Sequence, residues 1–169
     1  VEWEVQEDRW YSLSIGGAHA GWIHHVRSSD GKRYRTWREM QLQLNRAGSN
    51  MSVGSNATFI ETHDGQPIEI TATQLMGLSE VKRQITFSPE GVLVVTQQGD
   101  RKYRQLEPSP SGSWFMPAAM ERFVEARIAS KASKIQYRTA DIEMGFRIVD
   151  VEMNADGDQN LNLQGREIP

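Results

Sequence analysis

Between residues 28 and 101, short runs of alternating apolar and polar residues are separated by "SSDGKR", "NRAGSN", "THDGQP", "SPEGV" and "QQGDR". Each spacer is rich in glycine, asparagine, aspartate or proline, which set turns or tolerate a left-handed backbone. A chain that reverses after each such short alternating run has room for one kind of element between reversals, the antiparallel strand. "WYSLSIGG" places Tyr11, Leu13 and Ile15 on one face and Ser12 and Ser14 on the other, and "TWREMQLQLNR" sets Met40, Leu42 and Leu44 against Glu39, Gln41 and Gln43. "PIEITATQLM" and "VKRQITF" alternate in the same way. The two Asp-Gly pairs are expected to form type I′ hairpin turns. The reading is an up-and-down meander of seven or eight strands over residues 9–106.

The period changes after "SPSGS". Met116, Met120, Phe123 and Val124 recur at helical spacing, with Pro117 suited to a first turn, so one helix is expected over residues 115–130. Glu121, Arg122 and Glu125 are expected to keep its other side in water while the apolar stripe lies on the dry face of the sheet. "KIQYRTAD" and "GFRIVDVEMN" read as two further strands, and residues 154–169 as a polar tail or linker with one short strand. The fold class is therefore mainly β (α+β): a strongly curved antiparallel meander, or half-barrel, packed on one long helix. One β-rich domain spans residues 9–153. With 169 residues, a single core is the default.

Composition removes several activities. There is no cysteine, which excludes disulfides, thiolate metal sites and cysteine nucleophiles. The formal charge of −3 comes without any long single-sign block, and the densest basic cluster, Lys32, Arg33, Arg35 and Arg38, alternates between strand faces, so no nucleic-acid partner is expected. No apolar run is long enough to span a bilayer, and no signal peptide is present. The start at Val1 suggests a processed product or an excised domain. No nucleophile elbow, phosphate loop or dinucleotide motif occurs, and the serines of "MSVGSN" and "MGLSE" read as strand or turn residues. The expectation is no catalytic residue, no cofactor and no metal.

Three of the four histidines fall in "GGAHAGWIHH". Strand alternation sends His24 and His25 to opposite faces, which makes the doublet a poor metal motif. His24 shares parity with Trp22 and Val26 and is placed toward the core; His19 and His63 sit in turns. A zinc site would need His19, His24, His63 and a carboxylate to converge. The paired carboxylates Glu61 with Asp64, and Asp141 with Glu143, are read as surface groups. The seven methionines adapt to irregular apolar space. If a groove exists between sheet and helix, its lining is expected to include Trp22, His24, Met40, Met76, Met116, Met120 and Phe123.

"WYSLSIGGAHAGWIHH", "GKRYRTWREMQLQLNRAG" and "ETHDGQPIEI" together resemble the N-terminal β-domain that precedes transglutaminase-like domains in bacterial exported proteins. More distantly they are similar to the half-barrels of periplasmic lipoprotein carriers. The resemblance covers residues 9–106 and extends over the helix. It implies an extracytoplasmic, periplasmic or cell-envelope setting, a non-catalytic accessory or recognition role, and a catalytic domain downstream in the same chain as partner. The alternative it implies is a carrier with a lipid or other apolar ligand between sheet and helix. A transglutaminase-like active site uses cysteine, so no catalytic residue carries over.

Overall fold

The computed structural model describes residues 2–46, 49–142, 145–155, 161–163 and 166–168. Eight strands follow one another in sequence and in space: β1 (Glu4–Ile15), β2 (Ala18–Ser29), β3 (Arg33–Arg46), β4 (Ser49–Thr62), β5 (Pro67–Met76), β6 (Ser79–Ser88), β7 (Gly91–Gln98) and β8 (Arg101–Glu107). Every neighbouring pair is antiparallel and the order is β1 to β8 without a crossover, so the sheet is an open, curved meander. One helix, α1 (Pro117–Ala129), is followed by the hairpin β9 (Lys134–Asp141) and β10 (Arg147–Asn154). The tail holds two short paired strands, β11 (Leu161–Leu163) and β12 (Arg166–Ile168), where one was expected.

The turns are built differently from the type I′ expectation. Gly31 and Gly65 have φ of 85° and 89°, but neither Asp30 nor Asp64 is left-handed. Asp30 instead turns its carboxylate onto the backbone N–H groups of Lys32 and Arg33 and pairs with the Arg33 guanidinium at 2.7 Å. Side-chain capping replaces the second left-handed residue. The Arg33 hydrogen bond, with the two N–H donors, holds the Asp30 carboxyl down at about 2.

Alternation gives the sheet two unlike faces. The inner face carries the core: Ala57, Phe59, Ile70, Ala72, Ile85 and Val92 of β4 to β7 close against Met116 and Ile142, with Phe87, Trp114 and Phe146 packed around them. The segment before α1 is fastened to β9, since the Phe115 N–H donates to the Arg138 carbonyl at 2.8 Å and the Thr139 hydroxyl donates to the Phe115 carbonyl at 2.9 Å. Apolar burial thus concentrates on the middle of the sheet, beneath the hairpin and the helix entry.

α1 meets the sheet through the side expected to be wet. Pro117 and Ala118 are its buried residues. One turn later Glu121 points at β2, within 3.0 Å of His25 and 2.7 Å of Arg27, and the Arg122 guanidinium lies 4.8 Å from the Tyr34 ring centroid. Phe123, expected on the sheet, stacks on Phe115 at 4.9 Å and meets Tyr137 of β9 edge-on at 6.5 Å. The apolar stripe of the helix therefore divides between the core, through Met116, and the β9–β10 hairpin. Helical spacing reported that two faces exist, and the partner of each was decided by the later hairpin, which takes the aromatic side.

Candidate functional site

Two clusters stand out, one on each face of β1 to β3. On the inner face, Glu7, Arg9, His25, Arg27 and Arg38 share one side of the sheet, because Glu7 pairs with Arg27, Arg9 with His25, and His25 with Arg38 in the strand registers. Arg27 bridges two carboxylates, Glu7 at 2.9 Å and Glu121 at 2.7 Å, while Arg9 reaches Glu7 at 2.6 Å. Burial would raise the Glu121 carboxyl, but the His25 hydrogen bond and the charges of His25, Arg27 and Arg38 hold it below its usual value.

Carboxylate oxygens of Glu7 and Glu121 and a ring nitrogen of His25 lie within 4.8 Å of one another, the spacing of a cation's ligands. The surrounding charge argues for a different role. Three guanidinium groups outnumber the two carboxylates, and Arg27 already joins them. The arrangement acts as an ion-pair clamp between sheet and helix.

A second clamp lies one strand further on. Glu61 of β4, expected at the surface, is 1% exposed, and its carboxylate accepts the N–H of Ala118 at 3.0 Å and of Ala119 at 2.8 Å. Helix N-termini leave their first N–H groups without intrahelical partners and carry partial positive charge, so a carboxylate from another element can cap them. Desolvation nevertheless dominates and raises the Glu61 carboxyl above its usual value. Asp64 stays in the exposed turn, where it accepts from the Thr62 hydroxyl. Asp141 pairs with Arg147 at 2.5 Å, and Glu143 lies outside the described residues.

On the outer face, Trp10, Trp22, His24 and Trp37 form an aromatic cluster. Trp10 stacks on His24 with ring centroids 3.9 Å apart and planes 11° apart; Trp22 lies 5.1 Å from Trp10, and Trp37 meets His24 edge-on at 5.1 Å. Asp8 fixes the imidazole through a 2.8 Å contact to Nε2. Trp10 remains 62% exposed, a large aromatic surface left in water. Nearby on the same face, Trp3 receives the Arg33 and Arg35 guanidinium groups at 5.3 and 4.8 Å, so those cations have an internal partner.

The residues expected to line one groove are distributed. Trp22 and His24 are on the outer face, away from the core that His24 was placed toward. Met40 is on the inner face of β3, opposite Ile23. Met116 is fully buried in the core, and Met120 is half-buried on the helix. Phe123 lines a cleft of about 490 Å³ with Phe115, Tyr137, Arg138 and Glu152. Met76 lies on β5, and its side chain is outside the described residues. The three histidines weighed for zinc are apart: His19 contacts the Ser12 hydroxyl at 3.0 Å, His24 stands among the tryptophans, and His63 contacts the Tyr34 hydroxyl at 2.8 Å.

Sequence reasoning missed the clamps, although a signal existed in part. The parity that separates His24 from His25 also places His25 with Arg27, whereas Arg38 joins them only through the β2–β3 register. Nothing local marks Glu121 as their partner 94 residues from Arg27. Set against family models, curated proteins and solved structures, the chain matches none. Among the described residues no helix is long and apolar enough to cross a membrane.

Proposed function

We propose that this chain is a non-catalytic recognition domain of an extracytoplasmic bacterial protein, working beside a transglutaminase-like domain. The observation that carries the reading is the tryptophan cluster. Trp10, Trp22 and Trp37 are arranged on the face the core does not use, and Trp10 keeps most of its surface in water. Exposed aromatic surface of this kind is enriched where proteins meet partners, because a rigid indole buries a large area at little entropic cost. The resemblance of "WYSLSIGGAHAGWIHH" and "ETHDGQPIEI" to the accessory domain supplies the partner and the compartment.

The experiment is a titration of the purified chain with a transglutaminase-like domain encoded beside it, followed by tryptophan emission and acrylamide quenching. Burial of Trp10 is expected to move emission to the blue and to reduce quenching, and Trp10→Ser is expected to abolish both changes. Unchanged quenching of the unaltered chain at saturating partner overturns the reading.

A second reading, a carrier of an apolar ligand, is favoured by the cleft between Phe115, Phe123 and Tyr137, whose volume suits a small organic molecule. Its support is the ring-lined wall, and it predicts that a fluorescent acyl probe binds the unaltered chain and fails to bind Phe123→Asp.

A further inference from the structure

Among the described residues, the two end strands of the sheet, β1 and β8, each have one neighbour, so each presents an unpaired row of backbone donors and acceptors. Their chemistry is opposite. The β1 side carries Glu2, Glu4 and Asp8, with Glu7 already held by Arg9 and Arg27, and β8 carries Arg101, Lys102 and Arg104 against Glu107. None of the three β8 cations has an ion-pair partner among the described residues. Both strands also expose large apolar side chains, Val5, Trp10 and Tyr11 on one and Tyr103 and Leu106 on the other.

The registers align these groups. Followed strand by strand, the outer-face row that begins at Asp8 runs through Val26, Trp37, Thr58, Thr71, Gln84 and Val95 to end at Arg104. The adjacent row begins at Trp10 and ends at Lys102. On the inner face the row from Arg9 ends at Tyr103 and the row from Tyr11 ends at Arg101. With an even number of strands, β1 and β8 run in opposite directions. A second copy in the same orientation therefore brings its β1 antiparallel to β8 of the first, with the two faces continuous. In that register Asp8 meets Arg104, while Trp10 meets Lys102, Arg9 meets Tyr103 and Tyr11 meets Arg101 as cation–aromatic pairs. The uninterrupted part of β1 between its two bulges, Glu7–Leu13, is as long as β8.

We propose that this chain self-associates head to tail, β8 of one copy pairing with β1 of the next to extend the sheet. The contact is heterologous: each copy offers two different edges, and growth continues until a ring closes or a filament forms. It shares Trp10 and Asp8 of β1 with the recognition reading, whereas β8 takes no part in the tryptophan cluster, so the β8 variants below test self-association without touching that surface.

The test is sedimentation of the purified chain over a concentration series at low and high salt. Average mass is expected to rise with concentration and to fall as salt screens the edge charges. Arg101→Glu with Arg104→Glu, both exposed on β8, is expected to remain monomeric, as is Glu4→Lys with Asp8→Lys. Mixing these two variants restores opposite charge at both junctions and is expected to restore assembly. Because the native chain has no cysteine, a mixture of Asp8→Cys and Arg104→Cys proteins should oxidise preferentially to the mixed dimer. A chain that stays monomeric at its highest soluble concentration, or assembly unaffected by either reversal, overturns the proposal.

Discussion

At the scale of the residue, the decisive positions are those where a side chain has no freedom to be something else. Gly21 is one: a Cβ there would lie 1.9 Å from the Gln41 carbonyl oxygen across the β2–β3 pair. Gly21→Ala is expected to force those strands apart and to cost about 3 kcal/mol, read from the urea midpoint. Glu61 is another. Glu61→Ala leaves two N–H groups at the buried helix start without acceptors and is expected to cost about 2 kcal/mol. Glu61→Gln, which keeps one acceptor oxygen, should lose less. Neither residue was legible as special: Gly21 sits in a run already rich in glycine, and Glu61 sits beside a turn with a second acid, a pattern that surface loops produce freely.

At the scale of the element, α1 is held by opposed electrostatics, and pH separates the two clamps. The Glu121 carboxyl is depressed in the folded state, so its contribution to stability is present above the ordinary 4.5 and is lost as pH falls through the folded value. The Glu61 carboxyl is raised, so its contribution is greatest below the ordinary value and declines as pH rises through the folded one. Melting temperatures followed from acid to neutral pH should show Glu121→Gln flattening the acid-side loss and Glu61→Gln flattening the decline above it. A Glu121→Gln profile parallel to that of the unaltered chain at low pH would refute the first assignment. The helix itself was legible to within two residues at its start, from Pro117 and the apolar spacing. Its orientation was not, because Met120 and Phe123 record a preference for an apolar neighbour without naming which one, and the β9–β10 hairpin is the neighbour that captures Phe123.

At the scale of the whole molecule, the meander was readable because turn residues and period-two alternation say the same thing strand after strand; only the first strand, which starts at Glu4 rather than near residue 9, outran the pattern. A sheet assembled this way is stiffest where its inner face is covered. Ile70, Ile85 and Val92 are wholly buried, whereas β8 is exposed along almost its entire length. Amide exchange should follow that gradient, with β5 to β7 protected up to the global unfolding free energy and β8 and the second half of α1 exchanging first. Equal protection across all eight strands would mean that the outer strands are as tightly held as the middle.

The clamps also impose an order in time. Every strand pairing in the sheet joins neighbours in sequence, but Arg27 waits for Glu121, 94 residues later, and Glu61 waits for Ala118, 57 residues later. A chain emerging from its N-terminus can therefore zip hairpin by hairpin while the face of Phe59, Ile70 and Ile85 stays open to water. That face is shielded only when Met116 and Ile142, on either side of α1 and β9, have appeared, so the nascent sheet spends its youth in the state most in need of a chaperone.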